Sequence, residues 1–431
     1  MGSIFCPIKY DPRTKQQIQN VQNKKKEEFQ VCEDKKNKYR NSSIGNNKKF
    51  QDNSINPLST KKIKDDYYVS SSAYGSYFKN NINIINNTNN TRNINNNNDR
   101  GVTNKAKEKG YELCGIKNIG NNCYLNSGLQ ILARCPSFAD KLIPFNSNKY
   151  PFCMLLNQAF NSLLNKREYD PSFFVKYFCE KNIDFMIGEQ NCSQNFIRTV
   201  LTNVNDEIKL SKTNCIYSFQ NYSPKNEQEK KDYKTYIKEN KIYPESEALF
   251  MFTGILKSYS YGKCESCFKE FNKNTFCYFI DQNMYLNNIY QKCTFKDVID
   301  KNLPPSNIIG MECLYCKNMI KIEEETKIVK LPEILVFTLE RFLGGPNKVE
   351  IIPDEILDLQ KYIDPNLNGI DTIYELFAKN IRFGSTKNWG HEICQIKIDG
   401  YWYEFNDTSI SLKKRDYNDC SYGLYYRRVS N

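Results

Sequence analysis

The chain has 431 residues, room for one large domain or two to three ordinary ones, and its 39% apolar content is below that of a wholly globular protein. No run approaches ~18 uninterrupted apolar residues, which argues against a membrane-spanning helix. Of the formal charge of +12, residues 1–109 hold 21 Lys+Arg against 10 Asp+Glu; the rest is near neutral, so charge gives no footing for nucleic-acid binding.

Residues 1–109 carry lysine runs (Lys24 to Lys26, Lys61 to Lys64 with one Ile) and an asparagine tract around Asn80 to Asn98. Such a segment cannot bury enough apolar surface to offset about 1–2 kcal/mol of ordering entropy per backbone residue, so a disordered tail is expected. Its start, Gly2-Ser3-Ile4-Phe5-Cys6, partly fits a myristoylation signal, with Cys6 where Ser or Thr is preferred. Palmitoylation of Cys6 is the alternative, and membrane association through Gly2 or Cys6 stays open. No secretory signal is visible, and the 17 cysteines form no disulfide framework. The expected compartment is reducing, the cytoplasm or the nucleus, where thiols are free, metal-bound or catalytic.

From about Tyr111 the composition turns to regularly spaced apolar and aromatic residues. The stretch GIKNIGNNCYLNSGLQIL, from Gly115, runs a Gly-Asn-Asn loop into a helix striped by Leu125, Leu129 and Leu132. Cys123 then stands at the helix N-terminus, where unpaired N–H groups and the helix dipole favour a thiolate and lower its pKa. Asn118 lies five residues upstream, where its amide and the Cys123 N–H could form an oxyanion donor pair. An ordinary buried cysteine is the competing reading of this segment taken alone.

A second helix is expected from about Phe196 to Ile208, and the polar stretch 218–245 reads as an insertion or an exposed helix. Cys264-x-x-Cys267 and Cys313-x-x-Cys316 are 45 residues apart, and each pair can present two thiolates to one tetrahedral ion. Four protein ligands leave no open position, so this is expected to be a structural zinc site. Thr326 to Val329, Ile334 to Leu339 and Ile393 to Phe405 read as strands; helices first and strands later make the fold class α+β.

The chain has one histidine, His391, so any imidazole base must be that residue. After it, Asp399-Gly400 is a two-residue hairpin turn, placing Ile398 opposite Tyr401 and Ile396 opposite Tyr403. In that register Asn406 shares the face of His391 and Asp407 points to the other. Geometry therefore nominates Asn406 to orient the imidazole, and a one-residue slip would reverse the choice.

With these residues in hand, the chain resembles the ubiquitin-specific proteases, papain-like cysteine deubiquitinases. The resemblance covers about Cys114 to Val429. GIKNIGNNCYLNSGLQ looks like the family's cysteine box, which implies Cys123 as nucleophile and Asn118 as oxyanion donor. YELFAKNIRFGSTKNWGH, ending at His391, looks like its histidine box, and WYEFNDTSIS carries Asn406 as the third triad member. LPEILVFTLERF and YGLYYRR match further family signatures, and the cysteine pairs sit where the family carries its zinc ribbon. The resemblance implies a papain-like fold with a thumb (about 110–215), zinc-tipped fingers (about 246–330) and a palm (about 331–431). It implies hydrolysis after the C-terminal glycine of ubiquitin by a monomer, with ubiquitin or ubiquitinated proteins as partner and one structural zinc.

The chain departs from the family in three places. Its acidic box has no acids: Gln190-Asn191-Cys192-Ser193-Gln194-Asn195-Phe196 puts Cys192 and Asn195 where carboxylates receive the arginines of the ubiquitin tail, with Glu189 just upstream. Arg382 replaces a customary histidine, and Glu392 replaces the tyrosine that usually follows the base. These keep two alternatives in view: a catalytically weak ubiquitin-binding scaffold, and a protease for a ubiquitin-like modifier. A zinc-ribbon nucleic-acid binder is disfavoured by the near-neutral domain.

Overall fold

A stretch of eleven residues with no exposed member forms α1 (Cys123–Ala133), the first helix among the described residues. The leucine stripe predicts one buried face, but the opposite face is buried too, because its polar residues find partners. Gln130 donates to the Cys114 carbonyl at 2.8 Å, and Asn126 donates to Asp407 at 2.7 Å. A helix enclosed on all sides is thus tolerated without unsatisfied groups. The computed structural model describes residues 113–429 except 166–168, 209–221, 241–245, 288, 304–306, 344, 385 and 387–388. The asparagine- and lysine-rich segment 1–109 and the lipidation sites Gly2 and Cys6 lie outside the described residues. No described helix is long and apolar enough to cross a membrane.

Around α1 pack α2 (Pro136–Leu142), α3 (Pro151–Leu164), α4 (Ser172–Lys181) and α5 (Ser193–Ile208). Proline opens α2 and α3, where its missing N–H costs nothing. The second helix predicted from Phe196 begins three residues earlier, at Ser193. Aromatic rings fill the space between the helices: Phe178 meets Phe185 and Phe196 edge-on, with centroids 4.9 and 5.0 Å apart. Gly128 lets α1 touch α5, since a Cβ there would lie 2.4 Å from the Phe196 ring.

Two sheets follow. In the first, β1 (Gly254–Lys263) and β2 (Glu270–Phe279) join β5 (Asn307–Glu312) and β6 (Met319–Lys330) in the order β2-β1-β6-β5. The larger sheet uses β3 (Asp281–Tyr285), β7 (Ile334–Glu340), β10 (Ile373–Phe383), β11 (His391–Ile398), β12 (Tyr401–Asn406), β13 (Ser409–Leu412) and β14 (Ser421–Arg428). Its order is β13-β12-β11-β10-β14-β7-β3, with β9 (Ile356–Asp358) also paired to β10. Short β4 (Cys293–Thr294) pairs β8 (Ile351–Ile352) just before helix α8 (Phe295–Asn302); α6 (Glu227–Asn240) and α7 (Glu247–Phe250) precede β1. The architecture is α+β: helices holding Cys123, a sheet holding His391, and a separate sheet tipped by the four cysteines.

The polar stretch read as an insertion does form a helix, α6, but its Glu229 is buried. Lys257 on β1 lies 2.9 Å from Glu229 and also pairs with Asp364, and all three side chains are at most 5% exposed. Tyr222 donates its hydroxyl to the same glutamate. Burial pushes the Asp364 carboxyl up, but Lys257 and the Asn366 N–H outweigh that and hold it below its ordinary value. Removing the shared cation strands two carboxylates, so Lys257→Met is expected to destabilise the protein by about 3–5 kcal/mol. Chemical denaturation measures this, and an unchanged midpoint would show that these charges are not held against one another.

Candidate active site

The loop Lys117 to Asn122 delivers Cys123 to the first turn of α1. Asn122 caps no helical N–H; its side chain accepts from Ile119 N–H at 2.7 Å and donates to Asn126 at 2.9 Å. Asn126 donates on to Asp407 Oδ1, whose other oxygen, Oδ2, accepts from Asn118 Nδ2 at 2.9 Å. Asn118 Oδ1 in turn accepts from Gly120 N–H at 3.0 Å. A line of amides and one carboxylate thus holds the oxyanion candidate Asn118 in place. Sequence reasoning named Asn118 but missed Asp407, Asn126 and Asn122 as its supports; the run of asparagines flanking Cys123 was the available signal.

The His391 hairpin has the predicted register: Ile398 opposes Tyr401, Ile396 opposes Tyr403 and Cys394 opposes Phe405. Asp399 and Gly400 both have positive φ, 49° and 83°, as a twist-matched two-residue turn requires. His391 Nε2 lies 2.7 Å from Asn406 Oδ1. An amide oxygen only accepts, so this contact places the ring proton on Nε2 and leaves Nδ1 as the basic nitrogen. Asp407 adopts φ 51° after the strand and turns its carboxylate to Asn118 instead.

The helix and sheet meet at the thiol. Glu392, next to His391, donates its backbone N–H to Cys123 Sγ at 3.5 Å. Cys123 is 4% exposed. The helix N-terminus was expected to lower its pKa; the structure corrects this. Burial raises the thiol above its ordinary value, the Glu392 N–H lowers it, and the Glu392 and Asp407 carboxylates raise it further. Desolvation and the two acids together outweigh the lowering by the Glu392 and Tyr124 N–H groups.

The segment that lacks the acidic pair runs into α5. Cys192 is buried, Asn195 donates to Asn191 Oδ1 at 3.2 Å, and Gln190 accepts from Gly390 N–H at 2.8 Å. Arg382 and Glu392, the other two departures, form a buried ion pair with each other.

At the far end of the smaller sheet the four cysteines converge, with their sulfur atoms all within 4.8 Å of one another. Cys264 and Cys316 are 3.5 Å apart, Cys267 and Cys313 3.6 Å. A tetrahedral ion with metal–sulfur bonds of about 2.3 Å needs sulfurs roughly 3.8 Å apart. The cluster therefore fits one metal ion. Backbone N–H groups hold the Cys313 thiol down to about 6 and also lower Cys264, while Cys267 and Cys316, hydrogen-bonded to them, are pushed up.

Comparison with known proteins gives the family and the fold. The family model described as ubiquitin carboxyl-terminal hydrolase matches residues 114–426. The chain is 26% identical over 342 residues to ubiquitin carboxyl-terminal hydrolase 25 of Arabidopsis thaliana, covering 73% of this chain and 47% of that protein. It is 24% identical over 375 residues to the probable ubiquitin carboxyl-terminal hydrolase 4 of Schizosaccharomyces pombe, covering 77% and 61%. It thus spans less than two thirds of either relative. Among solved structures, a SAGA DUB module of Ubp8, Sgf11, Sus1 and Sgf73 bound to monoubiquitin is similar in fold, with a TM-score of 0.56 at 19% identity. That likeness covers 76% of this chain and 74% of the other.

Proposed function

The chain belongs to the ubiquitin carboxyl-terminal hydrolase family, and on that footing we propose that it is a cysteine-type deubiquitinase acting through Cys123, His391 and Asn406. His391 Nδ1 takes the proton of Cys123, and the thiolate attacks the carbonyl of ubiquitin's C-terminal glycine. The Asn118 amide and the Cys123 N–H receive the oxyanion, with Asp407 keeping Asn118 aimed. The imidazolium then protonates the leaving amine, and His391 activates the water that releases the acyl group from sulfur. The observation that carries this reading is the 2.7 Å contact of His391 Nε2 with Asn406, which frees Nδ1. The division at about 110, 246 and 331 into thumb, fingers and palm belongs to the same proposal. So does zinc as the ion of Cys264, Cys267, Cys313 and Cys316, holding the fingers together without entering the chemistry.

The test is labelling of Cys123 by ubiquitin bearing a C-terminal electrophile, run beside ubiquitin-like modifiers with the same warhead. Labelling by ubiquitin is expected; none at Cys123 in folded protein sinks the proposal. The modifier arm addresses the second reading, which rests on Cys192 and Asn195 standing where the family has acids. Preference for another modifier would favour it.

Asn406 and Asp407 act at different points of this mechanism. Asn406→Ala is expected to lower kcat on the order of 10²-fold and to change the pH profile, because the tautomer is no longer fixed. Asp407→Ala is expected to lower kcat less, since it loosens Asn118 and leaves the contact between His391 and Asn406 in place. A larger loss for Asp407→Ala would reassign the imidazole's partner.

A further inference from the structure

Arg382 and Glu392 look in the sequence like two unrelated departures from the family pattern, and the fold makes them a single feature. They oppose each other across β10 and β11. Their ion pair joins Nη1 to Oε1, with the side chains 2% and 1% exposed. Burying two charges this deeply is costly, and further hydrogen bonds offset part of the desolvation. Glu392 Oε2 accepts from Ser193 N–H, at the start of α5, and from Asn380 Nδ2, both at 3.1 Å. Arg382 Nη1 also donates to the Asn191 carbonyl at 3.1 Å, and its guanidinium stands 5.9 and 5.8 Å from the Phe342 and Tyr422 ring centres. The pair fastens the start of α5 to the two strands. Glu392 is also the residue whose backbone holds the Cys123 sulfur and whose neighbour is His391.

We propose that Arg382 and Glu392 form a charge-coupled positioning pair for Cys123, in which Glu392 anchors the strand that presents His391 and Arg382 neutralises the carboxylate beside the thiol. The inference rests on Cys123 being the reactive thiol and deepens that reading. The titratable groups that act on Cys123 are Glu392 on β11, Asp407 beyond β12 and Tyr124 beside it on α1, and His391 immediately precedes Glu392 on its strand. Both carboxylates oppose a thiolate, and Arg382 is bound directly to one of them. Arg382 offsets the Glu392 charge, whereas Asp407 is held by the neutral amides of Asn118 and Asn126.

The experiment follows iodoacetamide alkylation of Cys123 against pH, by mass spectrometry of the Cys123 peptide, in the full chain. It reads the thiol without ubiquitin, so its outcome is separate from that of the substrate assignment. Arg382→Gln leaves Glu392 uncancelled and is expected to move the midpoint up, slowing alkylation at neutral pH about tenfold. Glu392→Gln leaves Arg382 uncancelled and is expected to move it down, with faster alkylation at neutral pH. The double Arg382→Gln/Glu392→Gln variant strands no charge and is expected to lie near wild type, as is Arg382→Lys, which keeps the cation. Shifts of the same sign in both single variants, or none in either, overturn the proposal, because a merely structural role gives those patterns. Where one single variant fails to fold, the sign in the other decides. If both fail, a folded double variant or Arg382→Lys displaced from wild type overturns it, and one that matches wild type supports it.

Discussion

Cys123→Ser is expected to abolish ubiquitin cleavage, with kcat/KM falling on the order of 10⁴-fold or more, and His391→Ala should do the same. Serine keeps the shape of the site, but its hydroxyl is far harder to ionise than a thiol in this dry position, where Cys123 itself is already raised by burial. His391 has no understudy, since it is the only imidazole in the chain. Because His391 and Cys123 act as one unit in the proton transfer that makes the nucleophile, the two losses are expected to be similar in size and not additive. Ubiquitin binding should survive both changes, as neither side chain carries the area on which a protein partner rests. Added imidazole should restore part of the activity of His391→Ala and none of Cys123→Ser. Single-turnover assays with a ubiquitin amide, beside binding measurements, check this. Wild-type turnover by either variant would remove that residue from the mechanism.

What could be read in the sequence was local. The Gly-Asn-Asn loop before a leucine stripe announced a helix starting at Cys123, and Asp399-Gly400 set a hairpin register that puts Asn406 beside His391. Both signals lie within a few residues of what they specify. The missing parts depend on distant residues. Asn118 is held by Asp407, 289 positions away, and no periodicity links them. Glu229 sits in a helix polar enough to read as exposed, and only the approach of Lys257 and Tyr222 explains its burial. The Cys123 pKa went the wrong way for the same reason. The helix dipole is visible in the sequence, whereas enclosure by β11 and the nearness of Glu392 and Asp407 exist only in the fold. Arg382 and Glu392 show the converse, two substitutions ten residues apart that make sense only as cross-strand partners.

The smaller sheet's tip is expected to collapse without its metal. Each cysteine pair closes the same turn: Phe268 N–H donates to the Cys264 carbonyl at 2.8 Å and Lys317 N–H to that of Cys313 at 3.0 Å, with Phe268 and Lys317 at φ 58° and 67°. Positive φ at bulky residues is strained and persists only if something else fixes the loop. The local core cannot do so. It comprises Cys264, Cys313, Ile320 and Ile322, with Phe271 and Met311 partly buried against it. So few apolar side chains do not hold two loops in register. Zinc binding to such sites is worth about 10–16 kcal/mol in isolated fingers, far more than that cluster supplies. Wild-type protein is therefore expected to contain one zinc per chain. Cys264→Ser should lose the metal and, in hydrogen exchange, lose protection across β1, β2, β5 and β6 while α1 and β11 stay protected. Activity on ubiquitin should fall through KM before kcat, because His391 and Cys123 are in other elements. Folded, fully protected and active protein without zinc would show that the four thiols hold no structural ion.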